Sequence, residues 1–304
     1  MGLPILEFVR IGNVWYFLFI AFLIGFTVFS VWLCRKKGQV FSKRYISIML
    51  WANFALHFLK QFLPGAIASW PYSLTGSLFP NLCAVLVFFG PFIFHFGNRY
   101  VKDYFYYIGI LSGTLVYLVP TGALFEGPMG AAEWCETFRF YLCHIPLVVC
   151  PLLMVDRGFH KLDWKRLWDI PVIFGAVLAI ISLQVVLFGP VLKIPGYPTD
   201  WVGPNGILNR LAPSNMHNQS MQFGPQPGVD KILGAAYPYL IPYLMTYKVD
   251  GQIYFTPVIW ILPFIAIGTV IIGPLMTLPY GHADMKADIE ALKARRRAKK
   301  STKS

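Results

Sequence analysis

Hydrophobic positions in this chain neither alternate nor form stripes; they run on for about 17 to 23 residues at a time, separated by short polar stretches. An α-helix rising 1.5 Å per residue needs about 20 such residues to cross the roughly 30 Å hydrocarbon core of a bilayer. The pattern predicts seven spans, at 14–33, 45–63, 79–96, 104–120, 138–155, 170–192 and 256–278. The expected fold class is all-α: a polytopic membrane helix bundle over residues 1–285, followed by a basic tail at 286–304. The first run is too long for the core of a secretory signal. It ends in Cys34-Arg35-Lys36-Lys37 with no small-residue cleavage site, so it reads as a spanning anchor.

One connection has a different texture. Residues 193–255 begin dense in Pro, Gly and Asn, which predicts irregular backbone held by turns. Within this connection, 232–245 is apolar but contains Pro238 and Pro242, and about 14 residues is short for a span, so an interfacial or re-entrant segment is expected. Asn218-Gln219-Ser220 has the form of a glycosylation acceptor.

Charge turns the spans into a topology, because short cytoplasmic loops collect Lys and Arg. The loop after the first span holds Arg35, Lys36, Lys37, Lys43 and Arg44, the loop after the third Arg99 and Lys102, and the loop after the fifth Arg157, Lys161, Lys165 and Arg166. The tail adds more, whereas the loops after the second and fourth spans hold none. The N-terminus is therefore expected outside and the C-terminus in the cytoplasm, in a multi-pass protein of the plasma membrane. Composition agrees: 56% of residues are hydrophobic and only 13% charged, too few to keep the surface of a soluble protein of this size wet. The net charge of +12 then reflects loop placement and contact of the tail with anionic lipid headgroups, and nucleic acid is not expected as a partner.

The candidate chemistry lies in FPNLCAVLVFF and FYLCHIPLVVC. Both the third and fifth spans enter from outside, which puts Cys83 roughly 6 Å and His144 roughly 9 Å below the outer ends of their helices. His57, Lys60 and Gln61 lie near the outer end of the second span, sharing a helix face with Asn53. Glu136 and Arg139 open the fifth, in a stripe with Cys143, and Gln184 lies in the outer half of the sixth. Polar groups at membrane depth are expensive and mark sites. A thiol becomes a good nucleophile as thiolate, so it needs a base or a positive field, and His144 or His57 supplies one. Pro80 at the first helical position would put Cys83 in the first turn, where backbone N–H groups, with Asn81 or Lys60, face an ester oxyanion. Cys34, Cys143 and Cys150 read as packing, and a disulfide between Cys83 and Cys135 is the alternative use of that thiol. The His and Cys spacings form no zinc pattern, and no cofactor is implied.

The same stretches, LFPNLCAVLVFF and FYLCHIPLVVCPLL, resemble the YwaF family of bacterial integral membrane proteins, which is related to the eukaryotic transmembrane protein 164. The resemblance covers roughly 78–192, with Asn81 where a His often precedes Leu-Cys and Ile145 where a Gly often follows the His. It implies a multi-helix phospholipid acyltransferase with Cys83 as nucleophile and His144 as the family's histidine. A second class stays open: a carrier or sensor that binds a small anion or relays protons through His57, Lys60, Glu136, Arg139 and His144. Helices broken at Gly90-Pro91, Pro146 or Pro151 would favour that class.

Overall fold

The computed structural model describes residues 9–63, 78–120, 130–195, 197, 199–201, 218–225, 244–249 and 251–301. Among these the fold is carried by α1 (Val14–Leu59), α2 (Leu82–Phe96), α3 (Arg99–Leu118), α4 (Ala131–Asp156), α5 (Asp169–Val186) and α6 (Leu262–Ser301). The protein is mostly helical, but not all of it. Strands β1 (Thr246–Val249) and β2 (Gln252–Phe255) form an antiparallel hairpin, Thr246 opposite Phe255, just ahead of the last helix.

Four helical stretches are long and apolar enough to cross a membrane: Val14–Phe62, Ala131–Asp156, Asp169–Val191 and Ile259–Ala291. The first of them contains two of the expected spans. Gly38, with φ 85° and ψ −178°, breaks it in the middle; a positive φ is a conformation glycine adopts without steric penalty. A straight helix would hold residues 30 and 45 about 22 Å apart. Instead the Ser30 and Tyr45 hydroxyls are 2.9 Å apart, and Ser42 Oγ donates to the carbonyls of Cys34 and Gly38 at 3.1 and 2.7 Å. The two halves of α1 therefore lie side by side and antiparallel. The turn is tighter than the 34–44 loop expected from sequence, because helix continues to Gly38 on both sides.

The segments read as basic loops gather at one end of the bundle. Arg35 pairs with the buried Asp156, which also accepts from Tyr280 at 3.3 Å, and Lys161 and Lys165 reach Asp284 and Asp288 on α6 at 2.8 and 2.7 Å. Asp103, only 1% exposed, holds His160 Nε2 at 2.7 Å and Arg166 Nε at 2.5 Å. This buried cluster was read from sequence only as loop charge. Tyr106 donates to the Met276 carbonyl at 3.0 Å, and the Tyr107 and Thr277 hydroxyls lie 2.6 Å apart, tying α3 to α6. Beyond Pro274 and Pro279, α6 continues as helix to Ser301, so the basic tail extends the last helix.

The Pro- and Gly-rich run at 202–217 and most of the 232–245 segment lie outside the described residues. Asn218 is described and fully buried: its Nδ2 donates to the Gly224 carbonyl at 3.0 Å and its Oδ1 accepts from Phe223 N at 2.9 Å. A glycan has no room there, which corrects the glycosylation reading.

Candidate functional site: a thiol and imidazole at one end of the bundle

Cys83 owes its place to the way α2 begins. Asn81, with extended backbone, caps the helix by accepting from Ala84 N at 2.8 Å, as Asn does at an N-cap. Pro80 therefore stands outside the helix, and Cys83 is the second helical residue, inside the first turn as expected. The chain leading in is held by other elements. His57 donates to the Leu78 carbonyl (3.2 Å), Phe79 N donates to Gln184 Oε1 on α5 (2.9 Å), and Leu82 N donates to Ser220 Oγ (2.9 Å). The Asn81 amide donates to Gln219 Oε1. Gln184 in turn donates to the Tyr197 hydroxyl at 3.1 Å, and burial pushes that phenol up. The first N–H groups of a helix have no partner within it. Leu82 and Ala84 have found theirs; among the described residues the Cys83 amide has no acceptor, and the thiol is half-buried.

His144 comes from the middle of α4 and is buried. Its Nδ1 lies 2.5 Å from the Phe140 carbonyl, one turn back. A carbonyl only accepts, so Nδ1 carries the proton and Nε2 keeps its lone pair. Cys83, on α2, lies within electrostatic reach of the same imidazole. Cys143 approaches it from within α4: its sulfur lies 3.4 Å from Nδ1, 3.2 Å from the Phe140 carbonyl and 3.8 Å from Arg139 Nη1. Arg139 Nε also donates to Glu136 Oε2 at 2.7 Å, and Lys60, at the end of α1, senses the charges of Arg139, Cys143 and Glu136. Asn53 Nδ2 donates to the Cys143 carbonyl at 2.8 Å, fixing α1 against this turn of α4.

The fold sets Cys83 within electrostatic reach of His144, with Lys60, Glu136 and Arg139 gathered about the neighbouring Cys143. Three other expected residues take supporting places. His57 faces a backbone carbonyl instead of the thiol, Asn81 is occupied as a cap and by Gln219, and Gln184 braces the approach to α2. Cys143, read as packing, belongs to the cluster; its place in the Glu136–Arg139 stripe was the available signal. All five cysteines are free, so the alternative disulfide between Cys83 and Cys135 is not formed. Pro91, Pro146 and Pro151 lie inside unbroken helices, contrary to the broken helices a carrier would favour. Among the described residues, no three His, Cys, Asp or Glu side chains converge as metal ligands.

No curated protein and no solved structure matches the chain. Residues 9–200, which contain Cys83 and His144, match the model of the TMEM164 family, and the chain belongs to that family of membrane proteins.

Proposed function

We propose that this protein is a membrane acyltransferase that takes an acyl chain from a phospholipid ester onto Cys83 and passes it to a second acceptor. The observation that carries the reading is an imidazole whose Nδ1 is committed to the Phe140 carbonyl, with the Cys83 thiol within electrostatic reach of the ring. That arrangement leaves Nε2 to take the thiol proton. The sulfur then bonds to the ester carbonyl carbon, the carbonyl electron pair moves onto oxygen, and collapse breaks the ester C–O bond. His144 returns its proton to the departing lysolipid, and the acceptor hydroxyl repeats the sequence in reverse.

Cys83 suits the nucleophile better than Cys143. Its amide lies in the first turn of α2 without an acceptor among the described residues, in place to donate to the oxyanion. The Cys143 amide is inside α4 and spent on the helix. In this reading α1 crosses the bilayer twice and α2 to α6 once each, seven crossings in all, with the N-terminus outside and the basic tail against anionic headgroups in the cytoplasm. The plasma membrane is the proposed location, and the YwaF proteins are proposed as bacterial relatives of the same design.

The test is mass spectrometry of the detergent-purified protein after exposure to phospholipid vesicles. A hydroxylamine-labile acyl mass on Cys83 that forms slowly in His144→Ala supports the proposal. Lipid turnover that survives Cys83→Ser refutes the thiol mechanism.

A further inference from the structure

In sites built from a nucleophile and a histidine, a third group usually holds the far ring nitrogen and stabilises the imidazolium that forms, and a buried carboxylate is its commonest identity. Here Glu136, the nearest carboxylate on α4, is turned to Arg139. The side chain beside Nδ1 is Cys143, its sulfur 3.4 Å away. Arg139 Nη1 points to that same sulfur at 3.8 Å. The groups of variable or fixed charge that face it are Arg139, Glu136 and His144 on its own helix, Lys60 from α1 and Tyr117 from α3. Cys83, on α2, lies within electrostatic reach of the imidazole. Two cations and one carboxylate therefore stand around the Cys143 sulfur.

We propose that Cys143 is a positioning residue of this site, its sulfur standing where a carboxylate stands in a Ser-His-Asp triad and holding the His144 ring while Nε2 exchanges protons with Cys83. The inference rests on the acyl-transfer reading above. In the thiol form, Cys143 donates to the Phe140 carbonyl at 3.2 Å. When that proton is lost to water, the sulfur accepts from Arg139 Nη1–H and from the imidazole Nδ1–H. The Phe140 carbonyl keeps the tautomer in both forms. The negative sulfur then offsets the positive charge that His144 gains on taking the Cys83 proton.

An anionic partner and a packing residue rank substitutions in opposite orders, and this decides the test. The full-length protein, reconstituted in vesicles of phosphatidylcholine carrying a labelled acyl chain, is compared as wild type, Cys143→Ala, Cys143→Ser and Cys143→Asp. The readouts are acyl-thioester formation on Cys83 and melting temperature. Cys143→Ala is expected to lose about 10- to 100-fold in the maximal rate, the usual loss when a group that orients an active histidine is removed, with the half-saturating lipid concentration unchanged. Cys143→Asp is expected to recover much of that loss, and Cys143→Ser to fall between. Alkylation of Cys83 by iodoacetamide, which uses the same base, should slow in parallel in Cys143→Ala.

If Cys143→Ala matches wild type, or Cys143→Asp is folded and the least active of the set, the sulfur is packing and the inference is overturned. Should Cys143→Asp fail to fold, Cys143→Ala alone decides: an unchanged alkylation rate of Cys83 overturns the inference, and a slowed one at an unchanged melting temperature sustains it. Wild type that forms a thioester on Cys83 with every Cys143 variant unaffected sinks only this inference. Wild type that never forms one sinks the acyl-transfer reading and this inference together.

Discussion

The approach of α3 to α4 sets where His144 stands, and a single methyl group tests it. Gly113 on α3 faces the turn of α4 from His144 to Val148. A Cβ there would lie 2.7 Å from Val148 Cγ2, 3.2 Å from the His144 carbonyl and 3.3 Å from Leu147 Cβ. Carbon atoms rest at about 3.5–4.0 Å, so Gly113→Ala requires the helices to part by roughly 1 Å or Val148 to leave its rotamer. Overpacking of this kind costs about 1–3 kcal/mol, and the alanine returns at most about 0.5–1 kcal/mol in helix propensity. The expected net loss is about 1–2 kcal/mol. If α4 yields, His144 moves with it, and a misplacement of about 1 Å lowers the rate of a positioned reaction on the order of 100-fold. The assay pairs thermal unfolding followed by tryptophan fluorescence with the rate of Cys83 acylation. Gly25→Ala is the control, because a Cβ at that helical position meets nothing within 4 Å. Gly113→Ala that is as stable and as fast as Gly25→Ala would refute the claim that close α3–α4 contact places the imidazole.

Other outcomes follow from the same structure. Asn81→Ala removes the α2 cap and should lower stability by about 1 kcal/mol and slow Cys83 acylation, whereas Asn81→Asp should retain both, read by melting temperature and thioester formation. Gly38→Ala forces a side chain into the positive-φ turn of α1 and should cost about 1–2 kcal/mol in denaturation. Asp103→Asn leaves Arg166 and His160 without their buried carboxylate. It should destabilise by about 3–5 kcal/mol while Cys83 in the surviving folded fraction acylates at the normal rate, because the partners of Asp103 are His160 and Arg166 of the 157–168 connection and not residues of the Cys83–His144 site.

The site was legible where depth alone decided. Cys83 and His144 could be set at one level because position along a helix converts directly to distance into the bilayer, and the two lie within electrostatic reach of each other. What depth cannot supply is rotation about the helix axis. Cys143 and His144 are adjacent in sequence, and only the 3.4 Å approach of the Cys143 sulfur to Nδ1 shows that it shares the ring. His57 has the right depth for a base, yet its ring faces Leu78. Asn81 reads from sequence as an oxyanion donor in a helix opened by Pro80; it is instead the cap, because Ala84 N needs an acceptor and Asn81 is the residue placed to give one. The alternation of basic loops anticipated their gathering at one end. It did not reveal that Asp103 is buried among them, since that requires α3 and the 157–168 connection to close on each other. The β1–β2 hairpin was missed because its strands, four residues each, are too short to show a pattern beside the long apolar runs.

The central claim is that Cys83 and His144 work as one unit, and a double-mutant cycle on phospholipid turnover tests it most directly. Residues that act together are strongly non-additive: removing either one costs nearly as much as removing both. Cys83→Ser, His144→Ala and the double variant, reconstituted in the same vesicles, should therefore show nearly equal residual rates. A double variant whose loss is the product of two independent losses, or a Cys83→Ser protein that still turns over lipid, would contradict the account.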